Sequence, residues 1–218
     1  MTQLECDALL FDLDGVLIDS TICVTRHWEA WARRHGLDLD DVMREAHGVR
    51  TIETMRRVAP HLDVEKEEER FAAREVVDTE GVVALDSAAR LLNGLPQDVW
   101  AIVTSGSHEL ATARLRRAGL PIPRTLVGAD DVRRGKPAPE PYLVGAERLG
   151  VAAEGCVVVE DAPAGIQAAR AAGMRVIGIT TTHPREELAG CEVVIDRLSA
   201  LRIATGDGQA HRVMIRIQ

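Results

Sequence analysis

Short apolar runs that alternate with longer stretches of helical periodicity are the feature that most restricts how this chain can fold. Each run ends in polar or glycine-rich residues, an order typical of repeated β–α units that build a parallel sheet. Helical periodicity predicts helices at 108–118, 139–149 and 164–172. The apolar runs predict strands at 8–11, 99–103, 156–159, 176–179 and 193–195, with a weaker sixth at 126–127. We therefore predict an α/β fold with a doubly wound parallel sheet.

One long segment interrupts this alternation. Residues 19–83 show helical patterns but no convincing strand, and Trp28 and Trp31 fit one apolar helix face. We predict that this segment is an α-helical insertion and that residues 1–18 and 84–218 form the α/β core. At the C-terminus, residues 202–218 alternate loosely around Gly206, Asp207 and Gly208, which predicts a terminal β-hairpin.

The composition excludes several classes of protein. The 218 residues are 46% hydrophobic and 28% charged, as in folded soluble proteins, and no apolar run is long enough to span a membrane. The N-terminal residues lack the basic and apolar regions of an export signal, so we expect a cytoplasmic protein. A net charge of -8 argues against nucleic acid as a partner, because phosphate backbones bind clustered basic surfaces. The four cysteines show no CxxC spacing and are expected to be reduced.

Polar residues of a restricted set follow the predicted strands. The carboxyl ends of parallel strands meet at one edge of the sheet, where such sheets bind ligands, so these side chains are expected to share one site. They are Asp12 and Asp14 after the first strand, Thr104, Ser105 and Gly106 after the second, Lys136 further along, and Glu160 and Asp161 after the strand at 156–159. Asp12 and Asp14 are two apart in an extended segment and therefore face the same side.

This set of residues suits the transfer of a phosphoryl group. A carboxylate that attacks a phosphate meets charge repulsion, so the site needs a hard cation and positive side chains around the phosphate. Magnesium prefers oxygen ligands and would be bound by Asp12, Asp161 and a backbone carbonyl, while Lys136 would supply a positive side chain. Thr104 or Ser105, with the backbone N–H groups that follow at Gly106, would donate to phosphate oxygens. The sequence leaves the choice between the two hydroxyls open.

Four segments closely resemble the haloacid dehalogenase superfamily of hydrolases. They are FDLDGVLIDS at 11–20, VTSGS at 103–107, GKPAPEPY at 135–142 and VEDAPAG at 159–165. The resemblance extends to about residue 198 and implies a doubly wound core with a small helical cap inserted after the first motif. That implication agrees with the strand-free segment at 19–83.

The resemblance also implies a role for each motif residue. Asp12 would form an aspartyl-phosphate, and Asp14 would protonate the leaving oxygen and then activate the hydrolytic water. The implied magnesium site is formed around Asp12, Asp14, Glu160 and Asp161, with Glu160 holding a water on the metal rather than binding it directly. Asp19, at the edge of the insertion, would be either a hinge residue or helix cap, or else a substrate contact.

The sequence of the insertion indicates which branch of the superfamily the chain resembles. The segment HGVRTIET at 47–54 resembles the branch that acts on glycerol-3-phosphate, 2-deoxyglucose-6-phosphate and related esters, which implies that His47, Arg50 and Glu53 bind substrate. The alternative is a phosphosugar mutase of the β-phosphoglucomutase type. That pattern has a histidine twelve positions after the nucleophile, where this chain has Val24, and His27 is out of register.

Two further classes of protein share parts of this pattern. A signalling receiver module also gathers acidic residues and a lysine around magnesium, but it needs no insertion over the site. A non-catalytic sensor would keep the fold, although no catalytic position is substituted here. We therefore predict a magnesium-dependent phosphatase, a monomer that acts on a small phosphorylated metabolite and has no nucleic-acid or membrane partner.

Overall fold

The computed structural model describes residues 2–205 and 213–217. Its centre is a sheet of six parallel strands. In chain order these are β2 (Ala8–Phe11), β5 (Trp100–Val103), β6 (Leu126–Val127), β7 (Cys156–Glu160), β8 (Arg175–Ile179) and β9 (Val193–Ile195). Their spatial order is β6-β5-β2-β7-β8-β9, so the first strand of the sheet lies between β5 and β7. The predicted parallel α/β sheet is confirmed.

Alternating side chains along these strands build a core on each face of the sheet. Leu9 and Phe11 of β2 pack on one side with α5 (Ala88–Asn93) and α6 (His108–Ala118). Leu10 packs on the other side with α7 (Glu140–Leu149) and α8 (Pro163–Ala171). A strand that is buried on both faces is apolar at every position, which is why β2, β5 and β7 read as continuous apolar runs.

The segment between residues 19 and 83 forms four helices with a core of their own. They are α1 (Thr21–His35), α2 (Leu39–Ala46), α3 (Thr51–Val58) and α4 (Val64–Val77). Trp28, Trp31, Val42, Met55 and Phe71 are buried together among these helices. A short antiparallel ribbon joins this segment to the core: β3 (Ile18–Asp19) pairs with β4 (Val83–Ala84). We call residues 19–83 the cap.

A second, smaller sheet packs against the face that carries α5 and α6. Its strands are β1 (Thr2–Cys6), β10 (Leu201–Thr205) and β11 (Val213–Ile217), in the antiparallel order β1-β11-β10. The pairing of β10 with β11 confirms the two strands of the predicted hairpin. The predicted turn at Gly206, Asp207 and Gly208 lies outside the described residues. Val213, Ile215 and Ile217 point into the main core, so the C-terminal strand closes that side of the molecule.

Two general properties of the chain bear on its environment. Within the described residues, no helix is long and apolar enough to cross a lipid bilayer. The four cysteines are all free thiols; Cys6, Cys23 and Cys156 are buried, and Cys191 is partly exposed.

Candidate active site

A buried cluster of charged side chains lies at the carboxyl ends of β2, β5 and β7. Lys136 is at its centre and has no exposed surface. Its Nζ donates to Asp12 Oδ1 at 2.5 Å, to Glu160 Oε1 at 2.8 Å and to the Val103 carbonyl at 3.1 Å. The ends of three neighbouring strands thus meet on one ammonium group, as the strand-end rule predicts.

Both carboxylate oxygens of Glu160 are fully used inside the protein. Oε1 accepts from Lys136 and from the Tyr142 hydroxyl at 2.9 Å. Oε2 accepts from the backbone N–H groups of Asp161, at 2.8 Å, and Ala162, at 3.0 Å. These four hydrogen bonds fix Glu160 as a support for Lys136 and leave it no free oxygen for a direct bond to a metal.

The cluster holds more negative than positive charge. Burial and the charge of Glu160 raise the pKa of Asp12 to about 7, although Lys136 opposes the shift. Burial and the charges of Glu160 and Asp12 also raise the pKa of Asp161 well above its usual range. Burial alone would lower the pKa of Lys136, but the Asp12 and Glu160 carboxylates outweigh it and raise that pKa. Three carboxylates beside one lysine form a site that is suited to a further cation.

The geometry of these oxygens fits such a cation. One oxygen from each of Asp12, Glu160 and Asp161 lies within 4.8 Å of the others. Because Glu160 is already saturated, Asp12 and Asp161 are the side chains that could hold a hard divalent ion. Gly15 makes room for this arrangement: its φ is +82°, and a Cβ there would lie 2.0 Å from Asp161 Oδ2.

Asp14 lies in the same cavity but faces a different set of partners. Its Oδ1 accepts from Ser20 Oγ at 2.6 Å and from Arg114 Nη1 at 2.9 Å. The resemblance implied that Asp14 takes part in the magnesium site. The structure does not bring its carboxylate into the group formed by Asp12, Glu160 and Asp161, because Arg114 and Ser20 hold it on the cap side.

The turn after β5 places two hydroxyls at the cavity with different bonding. Ser105 Oγ donates to the Gly48 carbonyl of the cap at 2.9 Å, so its proton is used. Thr104 Oγ1 accepts from the Gly106 N–H at 3.1 Å, which leaves its own proton available to a ligand. Ser107, rather than either of them, caps α6 through the Leu110 N–H at 3.2 Å. The side chains of Thr104 and Ser105 and the backbone of Gly106 line the cavity.

The three cap residues predicted to bind substrate occupy two different places. His47 lines the cavity, and its ring packs edge-on against His183 of the core, with centroids 5.5 Å apart. Burial lowers the pKa of His47. Arg50 and Glu53 do not line the cavity and pair with each other. Arg50 also donates to the carbonyls of Val132, at 3.3 Å, and Arg133, at 3.1 Å, so it fastens the cap to the loop before Lys136.

Several cavity residues were not predicted from the sequence. Arg114 lies in the middle of α6 and Glu75 in the last turn of α4, and neither belongs to a motif. Thr182 follows β8, lines the cavity and donates to Asp161 Oδ2. Beside it, His183 Nδ1 lies 3.1 Å from the Asp161 carbonyl, to which it can donate. The strand-end rule that marked Asp12 would also have marked Thr182 and His183, which the sequence pattern left as ordinary residues.

The position at which the mutase pattern has a histidine is occupied here by an apolar residue, Val24. Val24 lines the cavity, whereas His27 does not. The His27 ring instead lies 3.3 Å from the Asp78 carbonyl at the far side of α1. Burial lowers the pKa of His27.

The six-stranded sheet, the inserted helices and the buried aspartate–lysine cluster define a hydrolase of the haloacid dehalogenase-like class. The chain belongs to this family: the model of haloacid dehalogenase-like hydrolases matches residues 6–173.

Individual relatives span nearly the whole chain. It is 42% identical to hexitol phosphatase A of Escherichia coli over 92% of this chain and 95% of the relative. It is 32% identical to glycerol-1-phosphate phosphohydrolase 2 of Saccharomyces cerevisiae, over 97% of this chain and 90% of that protein. Among solved structures, a hydrolase from Pseudomonas syringae superimposes with a TM-score of 0.76 at 26% identity, over 87% of this chain and 92% of that one.

Proposed function

We propose that this chain is a magnesium-dependent phosphatase that hydrolyses small sugar or polyol phosphate monoesters through an aspartyl-phosphate on Asp12. The observation that carries the proposal is the cluster in which Asp12, Lys136, Glu160 and Asp161 share one buried site beside Asp14. The names of the curated relatives, which are phosphatases of hexitol and glycerol phosphates, support this class of substrate.

In this proposal Asp12 is the nucleophile. Lys136 holds its Oδ1, and within the described part of the chain no donor binds Oδ2, so that oxygen is available to attack the phosphorus. The P–O bond to the leaving alcohol breaks as the bond to Asp12 forms. Asp14 gives its proton to the leaving oxygen, then takes a proton from the water that releases phosphate from Asp12. Thr104, whose hydroxyl proton has no acceptor among the residues that the structure describes, donates to a phosphate oxygen.

Asp12 and Asp161 would hold a magnesium ion in the proposed site. When bound, the ion neutralises charge on the phosphate and on the buried carboxylates. Glu160 acts through Lys136: its four hydrogen bonds keep the ammonium aimed at Asp12. Residues 19–83 serve as the cap that covers the leaving group and excludes water.

A phosphosugar mutase is the runner-up, and the cavity disfavours it. A mutase needs a base in the cap that activates a second substrate, whereas Val24 occupies the corresponding place and His27 contacts Asp78 instead. We also propose a cytoplasmic, monomeric enzyme. The free thiols Cys6, Cys23 and Cys156 are consistent with a reducing compartment.

Phosphate release from a panel of sugar, polyol and nucleotide monoesters, with magnesium present or chelated, tests the proposed function. We expect release from polyol and sugar esters, and its loss with chelator and in Asp12→Asn. Asp41→Asn is the matched control, because Asp41 lies on the exposed side of α2 and pairs with Arg44. Release by Asp12→Asn at the wild-type rate would overturn the proposed nucleophile.

A further inference from the structure

The cavity contains a buried carboxylate that the proposed chemistry does not use. Glu75 of α4 is 5% exposed and lines the cavity opposite Asp14. Its Oε1 accepts from Arg114 Nη2 at 2.8 Å. Within the described residues no donor binds its Oε2, and that atom is not among the fully enclosed polar atoms. Oε2 is therefore a hydrogen-bond acceptor that the protein leaves open to the cavity.

Arg114 holds this carboxylate in place. Nη1 donates to Asp14 and Nη2 to Glu75, so the guanidinium bridges the two carboxylates. The remaining nitrogen, Nε, is buried without a partner among the described residues and is closed to a ligand. Beside this pair, Oε2 of Glu75 is open to a donor from a ligand.

The charge of the surrounding wall determines what kind of donor fits. Glu75 is the one carboxylate among the cap residues that line the cavity, and no lysine or arginine of the cap lines it. Val24, Trp28 and Met43 provide apolar surface around it. Arg114 of the core also lines the cavity, but it is shared between Asp14 and Glu75, so two carboxylates surround one guanidinium. A leaving group with a second phosphate or a carboxylate would add negative charge beside these carboxylates, whereas a neutral hydroxyl can donate to Oε2.

We propose that Glu75 is a specificity-determining residue that accepts a hydrogen bond from a hydroxyl of the leaving group and selects neutral polyhydroxylated alcohols over apolar or anionic ones. Arg114 is its positioning residue. The inference rests on the proposed function and adds which residue recognises the leaving-group alcohol. Because Arg114 also binds Asp14, one guanidinium holds both Glu75 and the proposed acid.

Three phosphate esters with the same three-carbon chain test the inference. They are glycerol 1-phosphate, propyl phosphate, which lacks the hydroxyls, and 3-phosphoglycerate, which adds a carboxylate. For the wild-type enzyme with magnesium, we expect kcat/KM for glycerol 1-phosphate to exceed that for each of the others by about 100-fold. A preference below about tenfold over propyl phosphate would overturn the role of Glu75. Failure of all three esters to release phosphate would instead count against the proposed function.

Substitutions of Glu75 then test whether this residue causes the preference for glycerol 1-phosphate. Glu75→Leu should reduce the glycerol-to-propyl ratio about 10- to 100-fold, the loss produced when a hydrogen bond to a charged group is removed. Glu75→Gln keeps an oxygen for Arg114 and should raise the relative use of 3-phosphoglycerate about tenfold. It also keeps the test valid if the leucine variant does not fold.

The control is Glu67→Gln. Glu67 is a buried carboxylate on the same helix, but it pairs with Trp31, Arg34 and His35 away from the cavity. This variant should keep the wild-type ratio. Equal losses on all three esters in both Glu75 variants would show a purely structural role and contradict the inference.

Discussion

At the scale of single residues, the sequence predicts the members of the site whose places depend on a strand end. Asp12, Glu160 and Asp161 come directly after β2 and β7, so their meeting follows from the parallel sheet alone. Arg114 and Glu75 could not be predicted in this way. They are helix residues outside any motif, and their contact depends on how α4 and α6 pack, which no local pattern records.

A different local rule explains Arg50 and Glu53. Residues three apart on a helix face each other, and this spacing lets the two side chains pair rather than reach the substrate. A motif that resembles a family can thus mark a functional segment while leaving the task of each side chain undetermined.

Gly165 is expected to be essential at this scale. A Cβ at Gly165 would lie 1.6 Å from Glu160 Oε1, so Gly165→Ala must displace the carboxylate that supports Lys136. We expect kcat/KM to fall about 100-fold, as when a catalytic group is displaced by about 1 Å. Gly94→Ala is the control, because Gly94 has an ordinary φ of -85° and lies far from the cluster. Steady-state kinetics of a folded Gly165→Ala with wild-type activity would contradict the role given to Glu160.

His47 predicts a pH dependence of stability. Burial lowers its pKa below the unfolded value of about 6.5. Its contribution is therefore fully present above pH 6.5 and decreases as the pH falls, because the unfolded chain takes up a proton that the folded chain resists. His47→Asn should lose less unfolding free energy than the wild type between pH 7.5 and 5.5. Urea unfolding at the two pH values measures this difference, and equal losses would contradict the assignment.

At the scale of secondary structure elements, the sequence predicts strands that are buried along their whole length. It does not predict strands that are exposed or whose pairing partner is distant in the sequence. The runs that form β2, β5, β7 and β8 are apolar at nearly every position and were predicted. β1 was missed because it is largely exposed and its partner, β11, is close to the other end of the chain. β3 and β4 were missed because each has two residues and depends on the return of the cap.

The start of α5 is a strained point in this framework. Ser87 precedes the helix with φ 71° and ψ -4°, a left-handed conformation that costs a residue with a Cβ about 1 kcal/mol. Ser87→Gly should remove this strain. Part of the gain is offset by the greater entropy of glycine in the unfolded chain, so we expect the protein to be stabilised by about 0.5 kcal/mol. Ser87→Ala keeps the Cβ and should give no gain. Chemical denaturation of the three proteins measures the effect, and a destabilised glycine variant would contradict it.

At the scale of the whole molecule, the cap is fastened over the core by a few polar contacts. They include the Ser105–Gly48 hydrogen bond, the Ser20–Asp14 hydrogen bond, the Arg50 bonds to Val132 and Arg133, the His47–His183 ring contact and the Glu75–Arg114 pair. The lack of strands between residues 19 and 83 predicts an insertion there. The contacts that close it over the core could not be predicted, because they join residues far apart in the sequence.

Arg50 should control closure of the cap. Arg50→Ala removes its two hydrogen bonds to the core, each worth about 1 kcal/mol, so the closed arrangement should be less populated. We expect kcat/KM to fall about tenfold, and by the same factor for every ester. Arg57→Ala is the control, since Arg57 is on the same helix and pairs with Glu45 inside the cap. A loss confined to particular esters would indicate direct contact between Arg50 and substrate.

The most direct test of the central claim is whether a phosphoryl group is transferred to Asp12. Asp14→Asn should slow hydrolysis of the intermediate, because the water then lacks its base; with an aryl phosphate, whose phenolate leaves without an acid, the intermediate should still form and accumulate. Rapid quenching of this variant with an aryl phosphate and magnesium, followed by peptide mass spectrometry, should find a hydroxylamine-sensitive phosphate on Asp12. Turnover of the ester with no phosphate on Asp12, or with phosphate on another residue, would contradict the account.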